Sequence, residues 1–166
     1  AMAAIGVDVK DNRSHLSIDP RRRAVPTIDD PRRTLFVANS GTTIRFLTAA
    51  LSAFGGLYCP EGIDRMHERP IGDLIDAIGG VIGGSIRATS AGGCPPVTID
   101  AAGWIGRDLS VAGAISSQFL SGLMMAAPIA TAAAPVCGAD FGVAATRDDS
   151  TVRIVVDGEL VSRPYV

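Results

Sequence analysis

Apolar residues recur along this chain with two alternating periods. Ile44, Leu47, Leu51 and Phe54 fall at helical spacing behind the turn Asn39-Ser40-Gly41 and predict a helix over about residues 42–54. A short strand over 34–37 precedes that helix, Gly55-Gly56 stops it, and Leu57 to Cys59 read as the next strand. Pro70 opens a second helix with Ile71, Leu74, Ile75 and Ile78 on one face, and Gly79-Gly80 ends it. Val81 to Arg87 and Val97-Thr98-Ile99-Asp100 read as two strands joined through Gly92-Gly93 and Pro95-Pro96. The predicted order is β-α-β-α-β-β.

The pattern then starts again. A shift of 73 positions lays Arg45-Phe46-Leu47-Thr48 on Gln118-Phe119-Leu120-Ser121, again after a strand-like run, Leu109 to Ala112. Val152 to Val156 is the expected next strand, and Arg69-Pro70-Ile71 lies on Arg163-Pro164-Tyr165 at a shift of 94. The 21-residue difference between the shifts locates an insertion near residues 131–150, rich in Ala, Gly and Asp as surface loops are. Ala1 to Val7 reads as the tail of a helix entering a strand, and Val166 stops where another helix is due, so the chain reads as a piece of a longer one.

The expected divisions are the end of a first unit at 1–33, a complete βαβαββ unit at 34–105 and an incomplete third unit at 106–166. The helix at 116–130 is apolar almost all round and is expected to be buried, whereas strands such as Val97 to Asp100 alternate as half-exposed sheets do. The fold class is therefore α+β, with buried helices and outer sheets.

Composition narrows the chemistry. With 166 residues, 47% of them apolar, and a formal charge of −2, the chain has the make-up of a globular protein. No stretch approaches the roughly 20 uninterrupted apolar residues of a membrane span, and the first residues lack the order of a signal peptide, so a cytoplasmic protein is expected. Cys59, Cys94 and Cys137 are odd in number and widely spaced, which suggests buried small hydrophobes in place of a disulfide framework or zinc site. His15 and His67 are the only histidines and stand far apart, which disfavours a metal cluster or a Ser-His-Asp triad. Lys10 is the single lysine, so arginine carries nearly all the positive charge and forked recognition of carboxylate or phosphate has many candidates. Arg21-Arg22-Arg23 and Arg32-Arg33 have no interleaved aromatic residues and read as a solvated, Pro-flanked loop, not a nucleic-acid site.

The segment from Asn39 to Leu47 places a small-residue turn, two hydroxyls and an arginine where a helix begins. The uncompensated N–H groups and the positive dipole end of such a helix favour a bound phosphate or carboxylate, and Gly41 lets a ligand approach the backbone. Simpler readings stand beside this one. Ser116 or Ser117 can cap a helix, Arg69 can be a surface ion pair, and Gly41 can be a turn residue.

Five segments decide between these readings. Asn39-Ser40-Gly41-Thr42-Thr43-Ile44-Arg45, the run from Arg65 to Leu74, Cys94-Pro95-Pro96-Val97, Ser116-Ser117-Gln118-Phe119-Leu120 and the run from Leu160 to Val166 resemble, in this order, motifs of the EPSP synthase family. The match runs from about residue 5 to the end and covers most of the N-terminal lobe of a two-lobed enzyme built from repeated βαβαββ units. The family transfers the enolpyruvyl group of phosphoenolpyruvate to the 5-hydroxyl of shikimate 3-phosphate, on the route to chorismate and the aromatic amino acids. The resemblance implies that Ser116, Ser117 and Ser162 hold the phosphate of shikimate 3-phosphate and that Gln118 touches both substrates. It assigns phosphoenolpyruvate to the Gly41 backbone and to Arg69, with Arg45, Arg65, Thr42 and Tyr165 as further candidates.

Ala38 replaces the family's glycine before the Asn of the first motif, which tightens the turn. Phe46 replaces a proline or small apolar residue of some members. Gly41 leaves room where the herbicide glyphosate lies in sensitive members, which implies a sensitive-type pocket. The resemblance implies no metal or organic cofactor, no nucleic acid and no membrane as partner. The family's lysine-serine-arginine motif and its catalytic carboxylates have no counterpart here, so no catalytic acid or base is named, and a C-terminal lobe is the expected partner. Glu61, Asp64 and Glu68 read as ion-pair partners of neighbouring arginines. An anion-binding module without catalysis is the alternative. A UDP-N-acetylglucosamine enolpyruvyl transferase is a third reading, disfavoured because its cysteine-bearing loop is not recognisable and Ser116-Ser117-Gln118 points to shikimate 3-phosphate.

Overall fold

The computed structural model describes residues 8–19, 32–112, 116–132 and 151–158. The expected helix tail at 1–7, the Arg21-Arg22-Arg23 cluster, most of the insertion, Cys137, and the motif carrying Ser162 and Tyr165 lie outside these residues. Strands β1 (Asp8–Asp11) and β2 (Leu16–Asp19) pair as an antiparallel hairpin that the sequence pattern did not announce. Next come β3 (Arg33–Phe36), α1 (Gly41–Phe54), β4 (Gly56–Glu61), a 3-10 helix at Asp64–Glu68, α2 (Gly72–Gly79), β5 (Ile82–Ser90) and β6 (Cys94–Trp104). Arg33 thus begins a strand; it does not sit in the expected loop. Strand β7 (Asp108–Ala112), helix α3 (Ser117–Ala132) and β8 (Arg153–Asp157) complete the described elements.

The central sheet has the order β3-β4-β6-β5. Strands β3 and β4 run parallel around the α1 crossover, while β6 pairs antiparallel with both β4 and β5. Strands β7 and β8 form a separate parallel pair, with Leu109 opposite Ile154 and Val111 opposite Val156. In β6, Val97, Ile99 and Ala101 are buried and Asp100 is exposed, so one face meets the helices and the other meets solvent.

Helix α1 begins where the Ser40 side chain accepts the Thr43 N–H at 3.3 Å, relieving one of the four unpaired donors of a first turn. It ends at Gly55, whose φ of 86° turns the chain into β4 and whose N–H reaches the Leu51 carbonyl at 2.9 Å. A Cβ at Gly55 would stand 3.0 Å from the Ala101 carbonyl oxygen, so glycine also lets this corner approach β6 closely. Between helix and sheet, the Trp104 indole N–H donates to Ser52 Oγ at 3.0 Å, and Ser52 donates to the Ala49 carbonyl at 2.8 Å. Both partners of this satisfied pair are buried, Ser52 fully and Trp104 nearly so.

Helix α2 buries Leu74, Ile75, Ala77 and Ile78, the face anticipated from spacing, but it starts at Gly72. The preceding turns are occupied by the unanticipated 3-10 helix, anchored by fully buried Met66. Helix α3 buries Phe119, Leu120, Leu123, Ala126 and Ala130. It is not buried all round as its composition suggested: Met124 and Met125 remain 50% and 66% exposed, because α1 covers only one of its sides. Among the described residues no helix is long and apolar enough to cross a membrane.

Candidate functional site

The first turns of α1 and α3 meet. Gln118 Nε2 donates to Thr42 Oγ1 at 3.0 Å, and Arg45 Nη1 donates to Gln118 Oε1 at 2.6 Å. One turn further along both helices, a Cβ at Gly122 would lie 3.7 Å from Ala49 Cβ. Advancing from Arg45 to Ala49 on α1 therefore advances from Gln118 to Gly122 on α3, so the helices run parallel and their N-termini lie side by side. Two positive dipole ends are presented together, with the first-turn N–H groups that the Ser40 and Ser116 caps do not take, which strengthens the attraction for an anion beyond that of either helix alone.

Two guanidinium groups border the same place. Arg69 packs directly on Gly41, close enough that a Cβ there would sit 2.8 Å from Nη1. Arg45 lies over the Phe119 ring with its Cζ 5.0 Å from the ring centroid, and its Nη2 reaches the Pro70 carbonyl at 3.5 Å, just ahead of α2. Burial, and after it the charge of Arg69, lowers the Arg45 pKa from its ordinary value. Among the described residues, the one ion pair is between the exposed Arg153 and Asp108. Among the described residues the pairs expected between Glu61, Asp64 or Glu68 and neighbouring arginines are not formed, and the Arg69 side chain lies against Gly41. Like charges held together without a carboxylate are an arrangement that an anion relieves.

The remaining candidates sit as follows. Ser116 Oγ accepts the Gln118 N–H at 3.3 Å and the Ser116 carbonyl takes the Phe119 N–H at 3.0 Å, so this serine does cap α3. Ser117 opens α3, is half-buried, and its hydroxyl has no hydrogen-bond partner among the described residues. Arg65 is exposed in the 3-10 helix. Ser162 and Tyr165 lie outside the described residues. Thus Gly41, Arg69, Ser116, Ser117 and Gln118 are gathered at one end of two helices, with Thr42 and Arg45 as the groups that tie them together. The weight of Arg45 and Thr42 was underestimated from sequence, although the 73-position shift that lays Arg45 on Gln118 contained the signal.

The turn before α1 is built around a non-glycine residue in the left-handed region. Ala38 has φ of 51° and its carbonyl accepts the Ile63 N–H at 3.1 Å, tying the α1 turn to the segment that leads to Arg69. Among the described residues no group of three His, Cys, Asp or Glu side chains could hold a metal ion. Cys94 is buried and Cys59 is half-buried, its thiol pKa raised by burial and then by the charge of Glu61.

The α+β architecture sets two parallel helix N-termini side by side, with two arginines at their mouth. Residues 1–149 match the family described as EPSP synthase (3-phosphoshikimate 1-carboxyvinyltransferase). A 3-phosphoshikimate 1-carboxyvinyltransferase of Shewanella loihica is 42% identical over 137 residues, covering 82% of this chain and 28% of that protein. One from Shewanella sediminis is 34% identical over 166 residues, covering 100% of this chain and 34% of that protein. The solved EPSP synthase of Acinetobacter baumannii superimposes with a TM-score of 0.62 at 25% identity, covering 78% of this chain and 29% of that one. The chain belongs to the EPSP synthase family, a family of transferases, and spans roughly a third or less of the length of these relatives.

Proposed function

We propose that the chain supplies the phosphate-binding side of an enolpyruvyl transfer site, in which the enolpyruvyl group of phosphoenolpyruvate passes to the 5-hydroxyl of shikimate 3-phosphate and phosphate is released. In this reading Ser116, Ser117 and Ser162 hold the phosphate of shikimate 3-phosphate, and Gln118 reaches both substrates. The Gly41 backbone and the Arg69 guanidinium take phosphoenolpyruvate. The observation that carries the reading is the pair of uncompensated arginines at two parallel helix N-termini, Arg45 at Gln118 and Arg69 on Gly41.

Adding an alcohol to the enol carbon requires a base for the hydroxyl, an acid for the methylene carbon and cations for the developing charge. This chain is assigned binding and charge stabilisation, while the acid and base belong to a second lobe whose closure completes the site, so the chain alone is inactive. The same reading divides the chain into the end of one unit at 1–33, a whole unit at 34–105 and an incomplete one at 106–166. A cytoplasmic location belongs to it too, since multiply charged phosphate esters do not cross membranes unaided.

Calorimetric titration with shikimate 3-phosphate, with shikimate as the unphosphorylated control, tests the reading. Phosphate-dependent binding that Ser117→Ala and Gln118→Ala each weaken is the expected result. Equal affinity for shikimate, or no effect of either substitution, overturns it. Turnover on adding the complementary lobe separates the transferase from a binding module that gains nothing from that lobe.

A further inference from the structure

We infer that Arg45 is a positioning residue that locks the Gln118 side-chain amide so that it meets a ligand only as a hydrogen-bond donor. The inference deepens the proposed function and rests on it for the identity of the ligand. A guanidinium can donate and never accept, so the Gln118 atom 2.6 Å from Arg45 Nη1 must be the carbonyl oxygen. The amide nitrogen then faces the other way, and one of its two protons goes to Thr42 Oγ1 at 3.0 Å. The second proton is left for a ligand. With Oε1 engaged by a charged donor, the amide offers an incoming phosphate an N–H in place of a repelling carbonyl.

Arg45 is itself held on three sides. Its guanidinium lies over the Phe119 ring, 5.0 Å from the centroid, reaches the Pro70 carbonyl at 3.5 Å, and bonds Gln118. Its stem rises from α1 and its partner from α3, so the lock also joins the two helices whose ends form the anion site. An amide without this constraint would flip between two orientations of similar energy, one of which turns its oxygen toward the ligand.

Gln118 is the single glutamine in the chain, so isotope-labelled glutamine reports one side-chain amide without assignment ambiguity. In the unsubstituted protein its two amide protons should resonate away from the positions of an unconstrained glutamine and exchange slowly with solvent. Arg45→Met should move both resonances toward those of an unconstrained glutamine and raise their solvent exchange at least several-fold, while Arg45→Lys, which keeps a cationic donor, should undo part of that change. Trp104 fluorescence follows folding independently. If Arg45→Met does not fold, Thr42→Val removes the other anchor, and the amide should then keep its orientation but exchange faster.

Resonances unchanged in Arg45→Met overturn the lock. They do so equally if Arg45→Met and Arg45→Lys loosen the amide to the same extent. The donor role is read from inorganic phosphate and shikimate 3-phosphate titrations. Gln118→Glu keeps a partner for Arg45 but removes the donor, and should weaken both by tenfold or more. Undiminished affinity in Gln118→Glu refutes the donor role. Failure of both probes to shift the amide of the unsubstituted protein refutes the proposed function, and the lock is then judged on the Arg45 variants alone.

Discussion

Substituting Gly41 by alanine separates a fold role from a site role, because the two respond in opposite directions. The added Cβ would stand 2.8 Å from Arg69 Nη1, while its next neighbours, Arg69 Cδ and Cζ, are at 3.9 and 4.0 Å. Only the end of one flexible side chain is in the way. Ordinary contact begins near 3.4 Å, so the guanidinium must retreat by 0.6 Å. Gly41 is the first residue of α1, where alanine is favoured over glycine by at most about 0.5–1 kcal/mol through reduced chain entropy.

The expected stability change is therefore zero to about 1 kcal/mol in favour of the variant, a rise in Tm of up to about 4 °C. The ligand sees the reverse. A hydrogen bond to a charged group contributes about 1.5–3 kcal/mol, and lengthening it by more than half an ångström forfeits most of that. Affinity for phosphoenolpyruvate, titrated in the presence of shikimate 3-phosphate, should fall by about 10- to 150-fold, since every 1.4 kcal/mol is tenfold. Melting followed by the fluorescence of Trp104, which is 2% exposed, supplies the stability. Unchanged affinity, or a fall in Tm of more than about 4 °C, would refute the reasoning.

Ala38→Gly should stabilise the protein, since an L-residue in the left-handed region costs about 1–2 kcal/mol and the extra chain entropy of glycine returns only about 0.5–1 of it. A Tm that does not rise by at least a degree counts against the Ala38 geometry. Thr48 is 0% exposed and its hydroxyl has no hydrogen-bond partner among the described residues, so Thr48→Val should gain about 1 kcal/mol by removing an unpaired buried group. Denaturant unfolding that shows a loss points instead to a partner for the hydroxyl. Burial and Glu61 raise the Cys59 pKa, so its alkylation, followed by mass spectrometry, should accelerate only above the ordinary thiol range of about 8.5. A half-maximal rate below that pH contradicts the described environment.

What could be read from the sequence was whatever repeats. The apolar faces of α1 and α2 and the alternation in β6 stand out because three or more residues agree on one period, and glycines mark their ends. The 3-10 helix escaped because Asp64-Arg65-Met66-His67-Glu68 has one apolar anchor and hence no period to detect. The β1–β2 hairpin escaped for a related reason: its residues are mostly polar, and its turn contains no glycine, with Arg13 at φ of 65° in the left-handed position. For α3, composition counted apolar residues correctly but could not count the neighbours available to cover them, which left Met124 and Met125 exposed. The expected carboxylate pairs do not form among the described residues, because nearness in sequence does not decide where a long side chain points, as Arg69 against Gly41 illustrates.

The site needed one step more than the repeat itself. A shift of 73 positions makes Arg45 and Gln118 equivalent, but equivalence says nothing of contact until the two helices are known to be parallel neighbours. Once they are, like positions face like, and a faithful repeat would set an arginine against an arginine at the mouth of both helices, destabilising the pair by several kcal/mol if it were desolvated. Glutamine in the later copy replaces that repulsion with a hydrogen bond at 2.6 Å. One turn on, Ala49 and Gly122 are both small, which is what permits the close approach in the first place. The residues that break the repeat are thus the ones at its internal interface, and a difference between copies marks the site more sharply here than their similarity does.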